Sequence, residues 1–234
     1  MRSYHFACLA KEAYLDPDKA DFTKYGYEFT EFCDVDGAQA YVLCDEDEGR
    51  IVVVFRGTQA TEWNDIKADI YATHTNGFHS GFLKEYLKLH KEVIRAVARF
   101  QVKMAPDWPV VLCGHSLGGA MAQVASYYVP WVDEIYTYGS PRAISWFKDK
   151  LCVPHYRHVH NNDIVPSVPF LLMVFRHCGQ LQYIDYDGDL VKATFWQRFK
   201  DSWKGRRDAW KQGKWFDGIS DHSMDLYCKF LEDE

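Results

Sequence analysis

Apolar positions recur at two spacings along this 234-residue chain. Phe82, Tyr86, Leu89, Val93, Val97 and Phe100 return every three to four residues, which predicts a long amphipathic helix over 82–100. Residues 3–15 read as a helix as well, and so do the patterns at about 193–212 and 219–231. Between them lie short apolar runs rich in β-branched residues. AQAYVLC (38–44) and IVVVF (51–55) read as strands separated by the acidic turn DEDEGR. VVLC (110–113), EIYTYGSPR (134–142, ending in a loop) and HYRHVH (155–160) read as further strands. LMVFRHCGQLQYIDYDGDL (172–190) reads as a β-hairpin turning at Gly179. Continuous apolar runs suit strands buried on both faces, and strands alternating with helices imply an α/β architecture, a mainly parallel central sheet with helices on both faces. No repeat, low-complexity tract or linker interrupts the pattern, so 1–234 reads as a single domain.

One junction carries chemistry. The run Val110–Cys113 stops at Gly114 and is followed by His115, Ser116, Leu117, Gly118, Gly119 and a helix-compatible stretch from Ala120. The chain must pass from strand to helix in a few residues. A serine at the apex of such a turn is exposed at the carboxyl end of the strand, beside the first N–H groups of the helix. The flanking glycines let strand and helix close up beneath it. This is the G-x-S-x-G nucleophile elbow, with Ser116 as the candidate nucleophile.

An activated serine needs a base, an acid to orient the base, and donors for an oxyanion. Sites in open parallel sheets gather at the carboxyl ends of strands. Asp163, in HNNDIVPSVP after the 155–160 strand, is the candidate acid; its other reading is an ordinary turn aspartate, and Asp185 and Asp187 are the alternatives. His222, in the SDHSMDLY loop before the last helix, is the candidate base. The chain order serine, aspartate, histidine is one that serine hydrolases of α/β type use. His115 adjoins the serine but is expected to point away from it. Thr58, after the IVVVF strand, and the Leu117 N–H at the helix start are the candidate oxyanion donors. His155, His158 and His160 form H-x-x-H-x-H, but no cysteine or carboxylate stands at ligand spacing, so no metal is expected. The acyl chemistry requires no cofactor.

Composition narrows the partners. A net charge of −6 argues against nucleic acid, and no run is long and apolar enough for a membrane span. The first residues lack the pattern of a signal peptide. Seven scattered cysteines without a C-x-x-C pair read as reduced thiols in a cytoplasmic setting, the alternative being a Cys33–Cys44 bridge across a hairpin. The segment 192–215 is basic and rich in tryptophan. Phe199, Trp196 and Trp203 can share one helical face, with Trp210 two turns on. The favoured reading is a helix that packs these aromatics on the sheet; the alternative is one that lies in a lipid interface.

Six motifs, VVVFRGT, FHSGFLKEY, VVLCGHSLGGA, TYGSPR, HNNDIVPSVP and SDHSMDLY, occur in an order that resembles the class 3 lipase family. These are α/β-hydrolases that include filamentous-fungal triacylglycerol lipases. The resemblance covers about residues 50–230. It implies an α/β-hydrolase fold, ester hydrolysis by Ser116, Asp163 and His222, an oxyanion hole of Thr58 and Leu117, and a lipid or other ester as substrate. It also implies a lid after the oxyanion loop, here 59–77, where Trp63, Ile66, Ile70 and Tyr71 fall on one helical face. Short-chain carboxylesterase and phospholipase activities remain open at this point. So does a protein of another class, a lipid- or membrane-binding chain with a vestigial site.

Overall fold

The computed structural model describes residues 2–58, 74–149, 153–169, 174–194, 196–198, 200–201, 203–204, 207 and 222–232. In chain order the strands are β1 (Phe29–Val35), β2 (Ala38–Asp45), β3 (Arg50–Phe55), β4 (His74–Thr75), β5 (Phe78–His79), β6 (Val110–His115), β7 (Val132–Tyr138), β8 (Ile144–Ser145), β9 (His155–His160), β10 (Phe175–Arg176), β11 (Gln180–Ile184) and β12 (Leu190–Val191). Among the described residues the α-helices with both ends defined are α1 (Arg2–Glu12), α2 (Ser80–Lys103), α3 (Leu117–Ala125) and α4 (Met224–Leu231), and residues around 196–204 are helical as well.

Eight strands form the main sheet in the order β1-β2-β3-β6-β7-β9-β11-β12. Pairing is parallel from β3 through β6, β7 and β9 to β11, and antiparallel at both edges. Every residue of β6 is buried, as a central parallel strand covered on both faces requires. The alternating side chains of the sheet feed two cores. Val53, Phe55, Leu112 and Ile135 pack against α2 and α3; Val52, Val54, Val111, Tyr136 and Tyr138 pack against α1 and α4. Helix α2 turns Phe82, Tyr86, Leu89, Val93, Val97 and Phe100 to its core, the stripe expected from their spacing. The two-residue strands form a small second sheet, β10-β8-β5-β4.

One expectation fails. Gly179 does not turn a hairpin: β10 belongs to the small sheet, while β11 pairs with β9 and with β12. A Cβ at Gly179 would come within 2.5 Å of the His155 ring, so the missing side chain serves a close approach. The hairpin of this region is β11-β12, closed by Gly188 N–H donating to Asp185 O. Cys33 and Cys44, for which a bridge was the alternative reading, are not joined. Both are free thiols, and the β1-β2 register sets Cys33 against Ala40 and Cys44 against Phe29.

The junction between β6 and α3 is as close as the sequence demands. A Cβ added at Gly118 would lie 2.1 Å from the Phe55 carbonyl oxygen, and one at Gly114 would lie 2.5 Å from the Gly118 carbonyl carbon. Backbone blocks both positions, so neither can yield cheaply. Gly118→Ala should therefore destabilise the chain by about 3 kcal/mol, the upper part of the overpacking range, read as a lower midpoint in denaturant. An unchanged midpoint would show that helix and strand are not this close.

Candidate active site

Ser116 sits between β6 and α3 with φ 57° and ψ −125°, backbone space that side-chain-bearing residues rarely occupy. Its N–H donates to Tyr138 O at 3.0 Å, which fixes the turn against the end of β7. The hydroxyl oxygen is buried and meets no hydrogen-bond partner. Leu117 opens α3, so its N–H belongs to the first turn, where no intrahelical acceptor exists. Thr58 follows β3 by three residues and is half-buried. The preceding Gly57 brings this loop onto the elbow, because a Cβ there would lie 2.6 Å from His115 O.

The structure brings Asp163 and His222 together. His222 Nδ1 and Asp163 Oδ2 are 2.8 Å apart, and both residues are buried. Asp163 Oδ1 accepts from Val165 N–H at 2.9 Å. The pair lies against the residue after β7: a Cβ at Gly139 would come within 2.6 Å of Asp163 Oδ2 and 2.8 Å of His222 Nδ1. Since Ser116 is bonded to Tyr138, one residue away, the three candidates converge on the carboxyl ends of β6, β7 and β9. Asp185 and Asp187 are committed elsewhere. Asp185 accepts two turn amides, and Asp187 pairs with Lys204.

Two residues of the site escaped the sequence reading. Tyr227 donates its hydroxyl to Asp163 Oδ2 at 2.7 Å, and the Tyr227 hydroxyl oxygen accepts from His160 N–H at 3.1 Å. A tyrosine five positions beyond the histidine carries no pattern of its own; only the placement of α4 beside β9 brings it to the acid. His115 does not reach the serine, as expected, yet it is part of the site. Its ring lies 4.2 Å from that of His222, centroid to centroid, and its Nδ1 is 2.7 Å from the Tyr14 hydroxyl.

Burial dominates the electrostatics. It pushes the Asp163 carboxyl up to about 8, against the pull of the Tyr227 hydroxyl and the Val165 amide. It pushes the His222 imidazole down to about 3. His155 and His158 are held at about 3 by burial, and His115 and His177 are lowered by the same cause. The H-x-x-H-x-H histidines are spread over β9: His155 meets Thr137 Oγ1 at 2.9 Å, His158 stacks on Tyr138, and His160 on Phe230.

These shifts set a pH dependence. Outside the Asp163–His222 pair, His5, His115, His155, His158 and His177 are lowered by burial, so below about 6.5 they bind protons more readily in the unfolded chain than in the folded one. Each therefore costs stability as pH falls. The melting temperature should fall steeply between pH 6 and 5, and a flat profile down to pH 5 would contradict this account.

The geometry is that of a serine elbow beside a buried acid–histidine pair on a parallel sheet. The family profile Lipase (class 3) matches residues 52–173, more than half of the chain. The chain belongs to the class 3 lipase family. A family member from Fusarium solani, secreted mono- and diacylglycerol lipase 1, is 31% identical over 161 residues, covering 64% of this chain and 48% of that protein. Secreted mono- and diacylglycerol lipase A of Penicillium camembertii is 30% identical over 182 residues, covering 72% and 58%. Among solved structures, lipase II from Rhizopus niveus is similar with a TM-score of 0.66 at 25% identity, covering 78% of this chain and 79% of that one. The α/β-hydrolase fold expected of this member of the class 3 lipase family is thus the fold it has. The chain spans about half the length of the curated relatives it matches.

Two expectations about surroundings change. Both curated relatives are named as secreted, which does not fit the cytoplasmic setting inferred from the cysteines. Among the described residues no helix is long and apolar enough to cross a membrane. Trp196 and Trp203 are 70% and 64% exposed, so these two aromatics of the 192–215 segment are not packed on the sheet. Phe199 and Trp210 lie outside the described residues, as do residues 59–73 of the expected lid; 74–77 form β4 and the turn into β5.

Proposed function

We propose that the chain is a triacylglycerol lipase working through an acyl-enzyme. The observation that carries this reading is the buried Asp163–His222 pair, 2.8 Å apart, set beside a serine in left-handed backbone. Ser116 Oγ attacks the ester carbonyl while His222 takes its proton. Asp163 holds the imidazole in the tautomer whose other nitrogen accepts, and stabilises the imidazolium that forms. The Leu117 and Thr58 N–H groups receive the oxyanion, each worth roughly 2.7–4 kcal/mol in the transition state. His222 then protonates the departing alcohol, and water releases the acid by the same route. No metal or cofactor enters.

Contact with the lipid phase is assigned to the 192–215 segment. Trp203 lines a surface hollow with Lys200, Lys204 and Arg207, and exposed tryptophan among cations suits a headgroup layer. The 59–77 segment is the lid of this reading.

Hydrolysis of p-nitrophenyl esters from short to long acyl chains, below and above their solubility limit, tests the proposal. A lipase should show a rise in rate on long chains once the limit is passed. Saturable turnover confined to short soluble esters would make the chain a carboxylesterase and remove the support for a lid. A fluorophosphonate that fails to label Ser116 would make the site vestigial.

A further inference from the structure

The main sheet holds a cation that the ester chemistry does not use. Arg157 lies in the middle of β9, paired with Thr137 of β7 and Leu181 of β11, and is only 7% exposed. Its Nε meets no partner, and no carboxylate of the described residues pairs with the guanidinium. Burial, and after it the charges of Arg198 and Arg142, pull it down to about 10. It therefore stays charged at neutral pH.

Its surroundings repeat the pattern. Arg142, in the loop after β7, spends Nη1 on the carbonyls of Ser167 and Pro169, while its Nε is buried without a partner. Arg198 Nε and His177 Nδ1 are also buried and unmatched. Arg176 nearby donates only to the carbonyls of Ser145 and Lys148. On the same sheet face as Arg157, a cavity of about 320 Å³ is lined by His155, Arg176, His177 and Gln123 among others. An acidic protein has thus gathered buried and half-buried arginines and an imidazole with no carboxylate paired to Arg157, Arg142 or Arg198 among the described residues. Buried charge is costly unless it is paired.

We propose that the cluster of Arg157, Arg142, Arg198 and His177, beside the cavity that His177 lines, binds a phosphoryl oxyanion, either inorganic phosphate or the phosphate of a lipid headgroup. The donors arrive from β9, from the loop after β7, from the helical residues around 198 and from the segment between β10 and β11. A planar carboxylate offers acceptors in one plane. A phosphoryl group offers three oxygens in three directions and more charge, which suits donors that converge from several elements.

The test is binding, so it holds whether or not esters are turned over. With ionic strength balanced by chloride, inorganic phosphate at about 100 times its Kd should raise the melting temperature of the full chain by about 5–10 °C. Arg157→Met should abolish the rise and melt no lower than wild type without phosphate, because a buried unpaired charge has been removed. Should that variant not fold, broadening of the phosphorus NMR signal of inorganic phosphate by the wild-type chain, and its loss in Arg157→Lys, asks the same question. Sedimentation of the Ser116→Ala chain with phosphatidylglycerol vesicles separates the two sources. Vesicle binding that free phosphate displaces, and that Arg157→Met weakens at least tenfold, identifies the headgroup. A phosphate shift without it identifies the free ion. No response to either, or a response that Arg157→Met leaves intact, overturns the proposal.

Discussion

Ser116→Ala should lower ester turnover by about 10⁶-fold while leaving the chain at least as stable as before. The loss follows from removing the nucleophile of a set that acts as a unit. The unchanged stability follows from the structure: Ser116 Oγ is buried and meets no hydrogen-bond partner, so its deletion breaks no bond. Ser116→Gly goes further. At φ 57° a side chain is strained by of order 1–3 kcal/mol, and glycine relieves this at some entropic cost. A net gain of about 1 kcal/mol, or a melting temperature higher by about 2–4 °C, is expected with activity gone. Turnover and thermal unfolding of both variants check the pair of effects. Ser116→Ala that retains ordinary turnover would remove the serine from its role, and Ser116→Gly that melts below wild type would show the elbow to be unstrained.

Asp163→Asn should reduce kcat by about 10⁴-fold with the fold intact. The reason lies in the donors that meet this carboxylate. Val165 N–H needs an acceptor at Oδ1; Tyr227 O–H and His222 Nδ1–H need one at Oδ2. An amide can accept on one side only. With its NH₂ toward His222, the imidazole must accept at Nδ1 and carry its proton on the nitrogen that should take the serine proton. With the amide reversed, its NH₂ opposes the Val165 N–H. Tyr227→Phe removes one charge-assisted bond and leaves the carboxylate, so a loss of roughly 10–100-fold is expected. Steady-state kinetics on one soluble ester ranks the two. A loss below tenfold for Asp163→Asn would point to another acid.

The sequence was most informative where one constraint acted alone. The α2 stripe and the run at β6 are single periodicities, and both elements form as read. The elbow was legible because a sharp strand-to-helix passage admits almost no residue but glycine at 114 and 118. Failures came where a residue served a partner distant in the chain. Gly179 looks like a turn, yet it makes room for His155. Tyr227 looks like any core aromatic until α4 docks and sets its hydroxyl on Asp163. Edge strand β1 breaks the two-residue alternation, with Glu31 on the same side as Phe29, Cys33 and Val35 and bonded to Arg99 from α2, and that dilutes its signal. Arg157 gave no sign at all, since burial of a lone cation is a property of the assembled sheet.

The acid and the base are separated by 59 residues of chain. At a synthesis rate of roughly 5–20 residues per second, His222 leaves the ribosome about 3–12 s after Asp163. Through that interval the nascent chain carries the proposed nucleophile and acid without the proposed base. The proposed triad is completed only when α4 settles against α1 and β9, so the order of translation leaves the site unfinished until the last helix is made.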